Sequence, residues 1–234
     1  MACVGALRTY GAPAPLTLGV RPLMKRLLVL TLTASFAMAA HAERRYGSID
    51  EYFIALGASQ HQPHVADKPN ENGHLVVGLL QIWPTPEEPK AVVFIAQESR
   101  TGELTEAARS IPFDFGDGGG RTYVEFVEAT SESRFSIQIN YRGACSSGFD
   151  VFRFSRSKTK WVVAGRDSTR YSCSETDKSF GDTRNEISAN FLNGKVVNRF
   201  YIQGKLQKMV TEKRVFPEFP IAGFDPFQDV YGPR

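Results

Sequence analysis

Apolar positions in this chain recur mostly at every second residue, and the only helical period is short. Ile49, Tyr52, Phe53 and Leu56 fall at helical spacing behind Ser48-Ile49-Asp50-Glu51. Ser and Glu three apart form a capping box, and Gly57 stops the run, so one short N-terminal helix is expected. Residues 58–73 are polar and broken by Pro63, Pro69 and Gly73, which predicts a long exposed loop. From His74 the pattern turns strand-like. Residues 75–83 and 91–97 are nearly continuous apolar runs, separated by Pro84, Pro86 and Pro89. Residues 104–115 are ambiguous, with one helical turn possible over 105–109. The glycines of 117–120 mark a wide turn, and 121–127 is again a strand.

The clearest strand is residues 135–142 (FSIQINYR), which alternates apolar and polar without a fault. One of its faces is therefore buried and the other wet. Strands are expected to return over 149–154 and 161–164, and this spacing suggests an antiparallel meander. A polar loop comes next, at 174–185. Asn193-Gly194 joins two further strand-like runs, 187–192 and 195–202, as a hairpin signal whose turn positions favour positive φ. Residues 206–215 give a last strand. The Phe- and Pro-rich stretch 216–234 cannot be a central strand and is expected as an extended arm covering the sheet. The fold class expected is mainly β: antiparallel meanders forming a sandwich, half-barrel or propeller-like sheet, with one short N-terminal helix. The β domain is placed at 74–215, after the helix and loop of 43–73.

The N-terminus changes the charge picture. Met24-Lys25-Arg26 precedes an apolar run over 27–40, and Ala40-His41-Ala42 offers small residues at the positions a signal peptidase reads. Residues 24–42 are thus expected to be a secretory signal cut before Glu43, and residues 1–23 an over-called start. The first 42 of the 234 residues contain four of the 28 basic residues (Arg8, Arg21, Lys25, Arg26) and no acid. The remaining 192 hold 24 basic against 25 acidic residues, a net charge of −1. That balance does not favour nucleic-acid binding. No apolar run is long enough for a membrane-spanning helix. The expected location is periplasmic or secreted, where the two remaining cysteines, Cys145 and Cys173, should form a disulfide.

Candidate chemistry is sparse. His61 and His64, with His74 and Asp67 near in sequence, are weak metal candidates, because Pro63 prevents a helical pair and the segment resembles a loop. Asp114-Phe115-Gly116-Asp117-Gly118 lacks the alternating oxygen ligands of a calcium loop. There is no phosphate loop, no G-x-S-x-G, no H-E-x-x-H and no Cys–His signature. No cofactor is expected. Phe135, Tyr141, Phe149, Phe152, Phe154 and Trp161 are expected mainly in the core, and Arg142, Arg153, Arg156 and Arg166 on a solvated face. In the loop 174–185, Phe180, Asp182 and Arg184 compose a polar set around one aromatic ring, a candidate protein contact.

Two stretches carry a family resemblance. Trp161-Val162-Val163-Ala164-Gly165-Arg166-Asp167 follows Val151-Phe152-Arg153-Phe154, and Asn190-Phe191-Leu192-Asn193-Gly194-Lys195 comes after it. Together they resemble a group of uncharacterised exported bacterial proteins with a W/L-x-x-x-G-x-D strand and an N-x-L-x-G-K hairpin. Some of those sit beside propeller-type repeats with aspartate-rich calcium loops. Such loops are missing here, so the resemblance implies the fold class and export, and no activity or calcium site. The function expected is an exported, non-enzymatic binding protein of the periplasm, of immunity or inhibitor type, whose partner is another protein in the cell envelope. The alternatives are a glycan- or envelope-binding module, and an envelope hydrolase without a recognisable motif.

Overall fold

The computed structural model describes residues 44–57, 64–85, 88–114, 121–143, 146–172 and 183–228. Contacts divide the chain after residue 40, and every described element belongs to the unit His41–Arg234. The fold is mainly β, built from antiparallel sheets.

The first sheet has the order β1-β5-β4-β3-β2. Its strands are β1 (Arg45–Tyr46), β2 (His64–Asn70), β3 (Gly73–Thr85), β4 (Glu88–Ser99) and β5 (Leu104–Arg109), with β6 (Phe113–Asp114) also paired to β4. The second is an uninterrupted seven-stranded meander. It runs through β7 (Arg121–Ser131), β8 (Arg134–Arg142), β9 (Ser146–Ser157), β10 (Lys160–Ser172), β11 (Thr183–Asn190), β12 (Lys195–Ile202) and β13 (Lys205–Lys213). The helix α1 (Ile49–Ala55) precedes β2 and is capped as the sequence indicates, with Glu51 N–H donating to Ser48 Oγ.

Two apolar clusters explain the layers. One face of the first sheet (Leu75, Val77, Leu79, Val93, Ile95) packs on one face of the second (Phe135, Ile137, Ile139, Phe152, Phe154, Val163). The other face of the first sheet (Val76, Leu80, Val92, Phe94) packs on Tyr52 and Phe53 of α1. A strand buried on both faces has no polar side to show, which is why 75–80 and 91–96 are continuous apolar runs. The edge strands β2 and β7 approach each other without pairing.

The C-terminal arm fills the other opening. Val163 N–H donates to the Phe219 carbonyl and Val162 bridges Pro220, so the arm borders β10 beyond the end of β11. It then enters a short 3-10 turn, Ile221–Gly223. Phe224 is fully buried between the sheets, with ring centroids 5.8, 5.1 and 5.0 Å from Phe113, Phe152 and Phe154. The arm does more than cover the sheet: it supplies core.

Several expectations are corrected. Residues 64–70 are not loop but the edge strand β2, so the sheet structure begins before His74. Pro69 is compatible with this because an edge strand leaves every second N–H unpaired. The ambiguous stretch after Leu104 is the strand β5, with no helical turn. At Asn193-Gly194 only Gly194 has positive φ, +77°. The Asn190 side chain accepts from the Leu192 and Asn193 N–H groups and makes this a longer, side-chain-capped turn. Two adjacent positive-φ residues occur instead at Gln203 (48°) and Gly204 (74°), in the β12–β13 turn.

Gly165 has a packing role. A Cβ there would lie 2.6 Å from Arg153 Nη2 and 2.5 Å from the Ala189 carbonyl oxygen. Arg153 uses the gap to reach that carbonyl, at 3.0 Å, and to pair with Asp167. Gly165→Val is expected to expel the Arg153 side chain and lower stability by about 1–3 kcal/mol in urea unfolding. An unchanged midpoint would refute this role.

Candidate functional site

Most residues singled out from the sequence do not converge. Cys145, Cys173, His61, Phe180 and Asp182 lie outside the described residues. His64 pairs with Leu79 at one end of the β2–β3 ladder and His74 with Pro69 near the other, so strand geometry holds their backbones roughly 17–20 Å apart. His74 Nδ1 is 3.3 Å from Asp67 Oδ2 on the exposed surface. Among the described residues no group of three His, Cys, Asp or Glu side chains is placed to hold a metal. Asp114 pairs with Lys90. Arg184 is not in a loop: it stands on β11, its guanidinium 4.0 Å from the Tyr201 ring centroid and its Nε 3.2 Å from Glu186 Oε1.

The register of the meander shows what the sequence pattern could not. On the inner face, Asp150 of β9 lies opposite Ser168 of β10. Arg166 and Arg170 stand two residues to either side of Ser168, so period-two geometry puts both on the carboxylate's face. Their Nη2 atoms each lie 3.0 Å from Asp150 Oδ2, and the Tyr141 hydroxyl donates to the same oxygen at 2.8 Å. Asp150 and Arg166 are 1% and 3% exposed. Burial alone would raise the Asp150 carboxyl, but Arg170 and Arg166 outweigh it and hold the group below the ordinary carboxylate range. The same burial, with Asp150 beside it, raises the Tyr141 phenol above its usual value. The Arg170 guanidinium lies 4.5 Å from the Tyr141 ring centroid. Arg166, expected on the solvated face, is therefore a buried ion-pair partner. This cluster ties β8, β9 and β10 together on the inner face.

The opposite, solvent-facing side of the sheet is organised in cross-strand rows. One runs Tyr123, Asn140, Phe149, Thr169, Glu186, Arg199 across β7 to β12, each opposite the next. The neighbouring row runs Arg142, Ser147, Tyr171, Arg184, Tyr201. Neither apolar cluster draws a residue from these rows. Phe149 is thus a face residue and not core: it lies an odd number of steps from Phe152 and Phe154, which are buried.

Where the rows cross β7 to β10 they form an open groove of about 570 Å³. Its walls include Tyr123, Phe149 and Tyr171, with Glu125, Gln138, Asn140 and Arg142 between and beside them. Tyr123 is 47% exposed. Gln138 donates to Asn140 Oδ1 at 2.9 Å, and Asn140 donates to Glu125. These bonds fix the orientation of two amides and a carboxylate on the open face. Glu125 reaches the face because a bulge between Val124 and Phe126 adds one residue to β7. The sequence offered no signal for this groove beyond outward parity, which needs the register to be read.

Fold and face together define a two-sheet β structure with one open, aromatic-lined sheet surface. No protein-family model, curated protein or solved structure matches the chain.

Proposed function

We propose that this is an exported, non-enzymatic binding protein of the cell envelope, and that it binds through the solvent side of the seven-stranded sheet. The observation that carries the reading is the groove of Tyr123, Phe149 and Tyr171 on a face that neither core cluster uses. Grouped aromatic side chains with one wet side suit a recognition surface, because they offer apolar area and, for Tyr, a polar tip. The described lining of the groove carries one carboxylate, Glu125, whereas glycoside hydrolysis ordinarily takes two. Export rests on the signal pattern of residues 24–42. A Cys145–Cys173 disulfide is supported by the register: Ser146 and Ser172 are cross-strand partners, and each is the sequence neighbour of one cysteine.

The reading is tested by retention. The purified protein, starting at Glu43, is mixed with isolated cell envelopes and sedimented. The parent is expected in the pellet, and the Tyr123→Ala/Tyr171→Ala double variant in the supernatant with its thermal midpoint kept. If the double variant pellets like the parent, or the parent does not pellet, the reading is wrong.

A further inference from the structure

We infer that the groove on β7 to β10 is a glycan subsite, taking an extended, β-linked saccharide chain. This rests on the binding-face reading above and names the ligand class. Three features of the groove point the same way. First, two of its rings are separated by one strand. Tyr123 on β7 and Phe149 on β9 lie in one cross-strand row with Asn140 of β8 between them. Two strand spacings put their backbones roughly 9.5 Å apart. That spacing suits two sugar units of an extended chain, each laying its apolar C–H face on a ring.

Second, the groups between the rings are suited to hydroxyls. Asn140, Gln138 and Glu125 form one hydrogen-bonded series. An amide keeps donor and acceptor capacity beyond the bond it makes to its neighbour, and a carboxylate accepts several more. Paired hydroxyls of a pyranose present donors and acceptors in the same alternation. The series is pre-ordered, which lowers the cost of fixing it on binding.

Third, charge and shape disfavour other occupants. Glu125 and Arg142 balance each other in the lining, so the groove lacks the basic surplus that a phosphate backbone requires. Asn140 separates Tyr123 from Phe149, and Gln138, Glu125 and Arg142 share the lining, so the rings do not form the apolar centre of a protein interface. A peptide added as a strand would use a sheet edge, and this groove lies on a face. An extended row running across strands matches a ribbon-like β-linked chain better than a coiled α-linked one.

The test is titration calorimetry with chitohexaose and cellohexaose, using maltohexaose as the α-linked comparison. Binding of at least one β-linked hexamer is expected, with maltohexaose weaker. Tyr123→Ala and Tyr171→Ala are each expected to weaken it by about tenfold. Asn140→Asp, which keeps the shape and puts like charge beside Glu125, is expected to weaken it while both rings remain. Val210→Ser, on the far hairpin β12–β13, should leave it unchanged. If neither β-linked hexamer binds, or maltohexaose binds as well, or the ring variants bind like the parent, the glycan assignment is overturned. The envelope assay separates the two failures. Loss of pelleting in the double variant, together with no saccharide binding, keeps the face and excludes the glycan. If trypsin treatment of the envelopes also abolishes pelleting of the parent, the partner is a protein.

Discussion

Asp150→Ala is expected to destabilise the protein by about 3–5 kcal/mol, the range for breaking a buried ion pair by removing one partner. The loss comes from what remains: Arg166, 3% exposed, and Arg170 would stay on the inner face without the carboxylate that holds both. In a thermal melt this corresponds to a fall of roughly 6–20 °C for a chain of this size. The mechanism has its own signature. Replacing Asp150 and Arg166 together by Leu and Met should cost less than the two single losses added, because the buried Arg166 charge is removed with its carboxylate and only the partly exposed Arg170 loses that partner. A double variant as costly as the sum would show that the pair contributes only shape. The pH dependence has a fixed sign. The folded-state carboxyl of Asp150 is depressed, so its contribution is fully present above the unfolded value of about 3.9 and is lost as pH falls through the folded value. The urea midpoint of the parent should therefore drop on acidification below about pH 4 more steeply than that of the double variant.

Phe224→Ala should have an effect of similar size, about 3–5 kcal/mol. Its ring is fully buried and meets Phe113 of the first sheet and Phe152 and Phe154 of the second. Removing it leaves a cavity lined by three aromatic rings from both sheets, which cannot collapse without moving strands. Truncating the chain after Phe216 should act the same way or more strongly, since Ile221 is lost too and Val163 N–H loses the Phe219 carbonyl. Equilibrium urea unfolding measures both. A change under 1 kcal/mol for Phe224→Ala would mean that the arm only covers the sheet, as its Pro-rich sequence first suggests.

How much of this was legible depends on whether a signal is local. The alternation of 135–142 gives β8 and its buried face directly, and Ser48 with Glu51 gives the start of α1. The double-sided burial of β3 and β4 is written in their unbroken apolar runs. β2 was not legible, because His64–Asn70 is polar and holds Pro69; it is a strand through backbone pairing to β3 alone. The two Asp150–arginine pairs span sixteen and twenty residues, and only the β9–β10 register, including its irregularity between Val163 and Gly165, brings them together. The groove is harder still. Tyr123, Phe149 and Tyr171 look like core aromatics one by one, and the bulge in β7 decides which neighbours share their face.

If the protein binds through the solvent side of the β7–β10 sheet, amide chemical-shift mapping during titration with solubilised envelope fragments will show it. Perturbations are expected at Tyr123, Asn140, Phe149, Thr169 and Tyr171, with α1, β2 and the β12–β13 hairpin unmoved. Perturbations centred on α1 or on β13, with those five residues silent, would contradict binding through this face.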